Sequence, residues 1–120
     1  GNFIEPAVLA DVPDNADCMR EETFAPVAAF SRFSTEEDGI RKANDTRYGL
    51  AAYLFTRDLN RMFRVSEQLD AGSIGVNDGA PSTSQCPFGG IKESGWGREL
   101  GTEGMDAFLE TKHVSLGGVT

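Results

Sequence analysis

A chain of 120 residues is one domain's worth, and its 39% apolar share with 14 glycines is lean for a self-sufficient globule, better suited to a loop-rich piece resting on something else. Nineteen acidic against 11 basic residues give a net charge of −8 with no basic run, which argues against a nucleic-acid or anionic-membrane surface. Cys18 and Cys86 are too few and too far apart for a disulfide framework or a zinc site, no apolar run approaches the ~20 residues of a membrane span, and a reducing, cytoplasmic setting is the simplest reading.

The chain opens without Met and without the basic and apolar regions of a signal peptide, which points to a piece of a longer protein. Residues 1–26 read as irregular, punctuated by Pro6, Pro13 and Pro26. Residues 27–33 read as a mostly apolar strand. Ser34 and Glu37 form a capping-box pattern for a helix, with acidic residues at its start and Arg41 and Lys42 toward its end. Tyr48-Gly49 turns the chain into the apolar run of residues 50–56, as expected of a parallel strand covered on both faces. Asp58 opens a second helix whose Leu59, Met62, Phe63 and Leu69 share a face and read as core, with Gly72 placed to end it. Residues 73–77 form a third strand.

This order makes two βαβ units and predicts three parallel strands with right-handed crossovers. Ligands of such sheets gather beyond the carboxyl ends of the strands, and the loop of residues 78–88 leaves the third strand there. A last helix is expected near Thr102, carrying Met105, Phe108 and Leu109. Residues 112–116 then read as a strand with no partner inside the chain, an exposed edge.

The loop delivers the chain into Pro87-Phe88-Gly89-Gly90-Ile91-Lys92-Glu93-Ser94-Gly95-Trp96-Gly97-Arg98-Glu99. Its four glycines free the backbone for close approach, and Pro87 discourages a regular strand through it. Neither a dinucleotide fingerprint nor a P-loop fits, because Gly101 falls one place late and no Gly-Lys-Ser/Thr occurs. A second informative stretch is Glu21-Glu22-Thr23-Phe24-Ala25-Pro26-Val27. A carboxylate there can accept two hydrogen bonds from a vicinal diol, and an aromatic two residues on can pack on a flat heterocycle, although adjacent glutamates are more often a solvated turn. His113 reads as a strand residue, and neither cysteine has a histidine beside it to activate the thiol.

The glycine stretch strongly resembles the C-terminal signature of the aldehyde dehydrogenase superfamily, Pro-Phe-Gly-Gly-x-Lys-x-Ser-Gly-x-Gly-Arg-Glu. The second stretch resembles that superfamily's Glu-x-Phe-Gly-Pro-Val element, with Ala25 in place of the common glycine, a change that requires a negative φ there. Asn44-Asp45-Thr46-x-Tyr48-Gly49-Leu50-Ala51-Ala52 and Phe55-Thr56-x-Asp58 are similar to family segments that look architectural. The resemblance covers essentially the whole chain.

It implies an α/β fold: the βαβαβ portion of a parallel-sheet catalytic domain over residues 1–111, then a C-terminal oligomerisation strand over residues 112–120. It implies NAD or NADP as cofactor, with Glu22 holding the hydroxyls of the nicotinamide ribose and Phe24 touching the nicotinamide region. A small-molecule aldehyde would be oxidised to an acid through a cysteine thiolate, with the nucleophile and general base outside these residues. The loop of residues 78–88 resembles the succinate-semialdehyde dehydrogenase branch, in which a serine at the position of Ser82 helps hold the distal carboxylate; Phe88 would wall the same substrate site. Cys86 reads as a small wall residue. The resemblance further implies a homo-oligomer, no metal, and no nucleic-acid or membrane partner. An enzyme for another small aldehyde, such as lactaldehyde, and a non-catalytic binding or assembly module are the alternatives.

Overall fold

Three residues between Pro6 and Pro13 suffice for the first strand: β1 (Ala7–Leu9) pairs in parallel with β2 (Val27–Ala29), in the register Ala7 with Val27 and Leu9 with Ala29. The computed structural model describes residues 1–118. Between the two strands lies a single helical turn, α1 (Asp17–Arg20), so the opening segment is more ordered than its irregular sequence suggests. Cys18 falls in that turn, although its sequence gives no sign of a helix start there. β2 is also shorter than the expected residues 27–33, because beyond Ala29 only single backbone bonds continue the ladder (Phe30 N to Leu9 O at 2.8 Å, Val12 N to Phe30 O at 2.9 Å).

α2 (Glu36–Asn44) starts one residue later than the capping pattern predicts. The cap is Thr35, whose hydroxyl accepts from Asp38 N at 3.1 Å; Ser34 and Glu37 do not form the box. β3 (Tyr48–Gly49) follows, then β4 (Ala51–Leu54). Asp58 caps α3 (Leu59–Ser66) as expected, accepting from Arg61 N at 3.1 Å. β5 (Ser73–Val76) returns parallel to β4 in full register, completing one βαβ unit. Gly72 does not end α3, which stops at Ser66 with Glu67 as its cap; it immediately precedes β5 instead.

The second expected unit does not close inside this chain. β2 spends its hydrogen bonds on β1, so the predicted run of three parallel strands is replaced by two separate parallel pairs and an antiparallel pair between β3 and β6 (Ile91–Lys92). The architecture is α/β with parallel sheets. α4 (Glu103–Asp106) begins after Thr102 as expected but is one turn long, leaving Phe108 and Leu109 beyond it. Residues 112–116 form no strand, because nothing among the described residues offers them a ladder; the last two positions of the expected 112–120 segment lie outside the described residues.

Val12 and Val65 are the only buried apolar side chains among the described residues. Phe63 is 64% exposed and Leu59 equally so, which corrects the expectation that they are core, whereas Met62 and Leu69 are half-buried and Val65 is buried. Tyr53, Phe55 and Leu50 are exposed too, so the apolar run at β4 is not covered on both faces here. The radius of gyration, 20.0 Å, exceeds the roughly 14 Å of a compact domain of this length, and the extents are 76 × 46 × 25 Å. Polar ties carry much of the packing. Glu36 accepts from Arg61 and Arg64, joining α2 to α3, and Lys42 joins α2 to Asp14 and the carbonyl of Arg32.

Candidate functional site

The glycine stretch is seated by its backbone. Phe88 and Glu99 exchange both backbone bonds at 2.7 Å, pinching residues 88–99 into a closed loop. Within it, Arg98 Nη1 donates to the carbonyls of Gly90 and Gly97, each at 2.8 Å. The loop then docks on β3 through β6, and Ser94 Oγ accepts from Gly49 N at 3.0 Å. Lys92 Nζ reaches the carbonyls of Asn44 and Thr46 at 3.1 and 3.3 Å and stands 3.4 Å from Asp70. Asn44 in turn donates to Gln68 O and accepts from Asp70 N, fixing the turn between α3 and β5.

The approach of the loop to β5 is close enough to require glycine. A Cβ on Gly72 would run into the carbonyl oxygen of Gly89. The lysine, serine and arginine of the motif are therefore spent on holding the loop. Their roles are not legible in the sequence, because each bonds a backbone group that no side-chain pattern announces.

Two concavities open on this platform. One, of about 290 Å³, is lined by Met19, Glu21, Glu22, Tyr48, Leu50 and Ser94 among others. The second, of about 330 Å³, is walled by Leu50, Phe88 and the glycine loop through Glu99. Leu50 and Ser94 line both, so Glu22 and Phe88 border adjoining spaces. Sequence reasoning singled out neither shared residue. Glu22 is exposed, and its carboxylate has no hydrogen bond or ion pair among the described residues, which leaves its oxygens open to a diol.

Phe24 and Ser82 stand apart from these spaces. Phe24 is 93% exposed, borders neither cavity, and holds a left-handed backbone with φ of 41°. Ala25 is not among the positive-φ residues, so its methyl group is accommodated; the unusual torsion falls on its neighbour. Ser82 is exposed in the loop after β5 and also borders neither cavity. Two bonds shape that loop: Cys86 N to Thr83 O at 3.2 Å, and Gly101 N to Ser84 O at 3.1 Å, the latter tying it to the end of the signature.

Cys86 is exposed, and Cys18 sits in a one-turn helix led by the carboxylate of Asp17. Neither thiol makes a hydrogen bond among the described residues. Among the described residues no helix is long and apolar enough to cross a membrane.

Comparison with known proteins accounts for this platform. The chain is 51% identical over 117 residues to the succinate-semialdehyde dehydrogenase [NADP(+)] of Escherichia coli, covering 98% of this chain and 24% of that protein. It is 50% identical over 119 residues to a glutarate-semialdehyde dehydrogenase of Pseudomonas aeruginosa, covering 99% of this chain and 25% of that one. Among solved structures, an aldehyde dehydrogenase of Mycobacterium tuberculosis complexed with NAD+ matches with a TM-score of 0.85 at 44% identity, over 90% of this chain and 22% of that chain. The chain thus spans about a quarter of the length of the relatives it matches. Residues 1–114 match the model of the aldehyde dehydrogenase family, and the chain belongs to that family.

Proposed function

We propose that these residues form part of an NAD- or NADP-dependent aldehyde dehydrogenase that oxidises a small aldehyde with a distal carboxylate, succinate semialdehyde foremost, to the carboxylic acid. The observation that carries the cofactor role is the unpartnered carboxylate of Glu22 beside the 290 Å³ cavity. A carboxylate so placed can take both hydroxyls of a ribose, orienting the attached nicotinamide. The bound cofactor would supply the hydride acceptor; this chain's residues supply position. Phe24, whose backbone holds a left-handed φ, is exposed, so a nicotinamide edge could rest on its ring.

Phe88 and the glycine loop would wall the substrate side, and Ser82 would donate to the distal carboxylate from the loop of residues 78–88. The thiolate that attacks the aldehyde and the base that activates water lie outside these residues. The exposed segment at residues 112–118 suits a strand completed by another chain, so we read the protein as a homo-oligomer divided at residue 111. A cytoplasmic setting accords with the two free thiols.

A substrate panel on the full-length protein tests the reading. Succinate semialdehyde, glutarate semialdehyde, lactaldehyde and an uncharged aldehyde of similar length are compared with NAD and NADP, following reduced-nicotinamide absorbance. The highest kcat/KM is expected on succinate semialdehyde; a preference for glutarate semialdehyde would correct the chain length, and a preference for the uncharged aldehyde would overturn the carboxylate assignment. Glu22→Gln should slow hydride transfer more than acylation of the cysteine. Unchanged hydride transfer and cofactor affinity would make Glu22 a surface residue.

A further inference from the structure

We propose that Arg47 is a positioning residue that holds the Glu22 segment against the signature loop and so sets where the ribose-binding carboxylate stands. The inference rests on the reading of Glu22 given above and concerns what fixes it in place.

Residues 22–24 make no backbone hydrogen bond among the described residues. The nearest backbone anchors are Glu21 N to Asp17 O at 2.7 Å on one side and the Ala25 carbonyl, accepting from Val27 N at 2.7 Å, on the other. Between them Phe24 carries a positive φ, a conformation that a free loop of ordinary residues would leave. The side chain of Glu21 is the last fixed point before Glu22, and what fixes it is Arg47: Nη2 donates to Glu21 Oε2 at 2.8 Å.

The same guanidinium makes two further contacts. Nη2 also donates to the Tyr48 hydroxyl at 2.9 Å, and Nε stands 3.5 Å from Glu93 Oε2 inside the signature loop. Glu93 N closes the link by donating to the Arg47 carbonyl at 3.0 Å. Arg47 thus lies between the ribose-binding segment and the loop that seats on β3, joined to each by a carboxylate. A planar fork with several donors can hold these acceptors together, whereas an ammonium on a flexible stem can satisfy only part of the set.

Arg47 and both glutamates are about half exposed or more, so the cluster adds little to overall stability. Its effect is geometric, which separates this role from a structural one. In the full-length enzyme, Arg47→Met should raise KM for the nicotinamide cofactor about two- to fivefold, the scale of an exposed ion pair. Thermal stability and the aldehyde KM should stay near wild type. Hydride transfer should become more rate-limiting, read as a larger isotope effect with deuterated aldehyde. Arg47→Lys should fall between the two, and Glu21→Gln should move cofactor KM in the same direction. The double variant Arg47→Met/Glu21→Gln should be no worse than Arg47→Met alone, since both remove one contact.

Glu22→Gln is measured alongside. If Glu22→Gln weakens cofactor positioning while Arg47→Met leaves cofactor KM and the isotope effect at wild-type values, Arg47 does not position it. A loss of melting temperature and of kcat on every substrate with unchanged cofactor KM would make Arg47 merely structural. If Glu22→Gln itself changes nothing, the ribose role of Glu22 falls and the role of Arg47 falls with it.

Discussion

Replacing Gly72 with alanine tests whether the signature loop must lie directly on β5. Gly72 is not among the positive-φ glycines, so an alanine has no torsional penalty there and its effect is purely one of contact. The new Cβ meets the Gly89 carbonyl oxygen, the Gly89 carbonyl carbon at 2.8 Å and Gly90 Cα at 3.1 Å. All three are backbone atoms, so no side chain can swing aside. The two segments must part by about an ångström or more, with an overpacking cost of about 1–3 kcal/mol. Gly72 N donates to Gly49 O at 3.0 Å and Gly49 N donates to Ser94 Oγ, so the shift reaches the wall shared by the two cavities. A misplacement of about 1 Å can cost on the order of a hundredfold in rate. In the full-length enzyme Gly72→Ala should therefore lower the melting temperature and reduce kcat/KM by up to about a hundredfold. Gly79→Ala, with nothing near its added Cβ, is the matched control and should keep the wild-type melting temperature. Gly72→Ala with wild-type melting and turnover would show that the loop does not rest on β5 as described.

Ser82→Ala in the full-length enzyme should lower kcat/KM for succinate semialdehyde about ten- to a hundredfold, the worth of one charge-assisted hydrogen bond, and barely alter an uncharged aldehyde of similar length. Equal losses on both substrates would mean that Ser82 only shapes the loop. The Arg64 and Arg61 guanidiniums hold the Glu36 carboxyl at about 2, below its usual 4.5, so its contribution to folding is complete above about pH 4.5 and fades as pH falls toward 2. The difference in melting temperature between wild type and Glu36→Gln should accordingly be constant from pH 7 to 5 and narrow by pH 3; a gap that does not depend on pH would remove the ion-pair explanation. The 120 residues on their own should show no turnover of succinate semialdehyde with NAD or NADP and should self-associate, given the exposed Phe30, Phe63, Phe108 and Leu116. Activity that vanishes on mutating Cys86, or a monomer by light scattering at high concentration, would contradict these two expectations.

Local chemistry made the helices readable. Asp58 caps α3 as its position predicts, and the acidic start of α2 misled by only one residue because adjacent Ser34 and Thr35 can both cap a helix. Strand pairing was less legible. β1 is three residues long between prolines, too short for alternation to register, and by taking β2 it alters the sheet order. Phe63 and Leu59 read as core because periodicity reports which face is apolar but not what covers it. Of the residues the sequence marks as candidates, Glu22 and Phe88 come to adjoining cavities. Phe24 and Ser82 do not, since both sit on loops whose direction is set by backbone torsions that composition does not encode. Arg47 was invisible for another reason: its partners lie 26 and 46 positions away, and charges at such separations carry no periodic signal.

The pairing of Tyr48-Gly49 with Ile91-Lys92 has a bearing on how the molecule reaches its final form. Those two rungs join segments about 40 residues apart, and closing a loop of that length costs entropy that grows slowly with its size but must be met before either rung forms. Neighbouring β4 and β5 meet across a shorter span with four rungs, so they can be in place first. In refolding, recovery of helix and sheet signals should run ahead of the closing of the glycine loop, making the seating of that loop on β3 one of the last steps along the folding path.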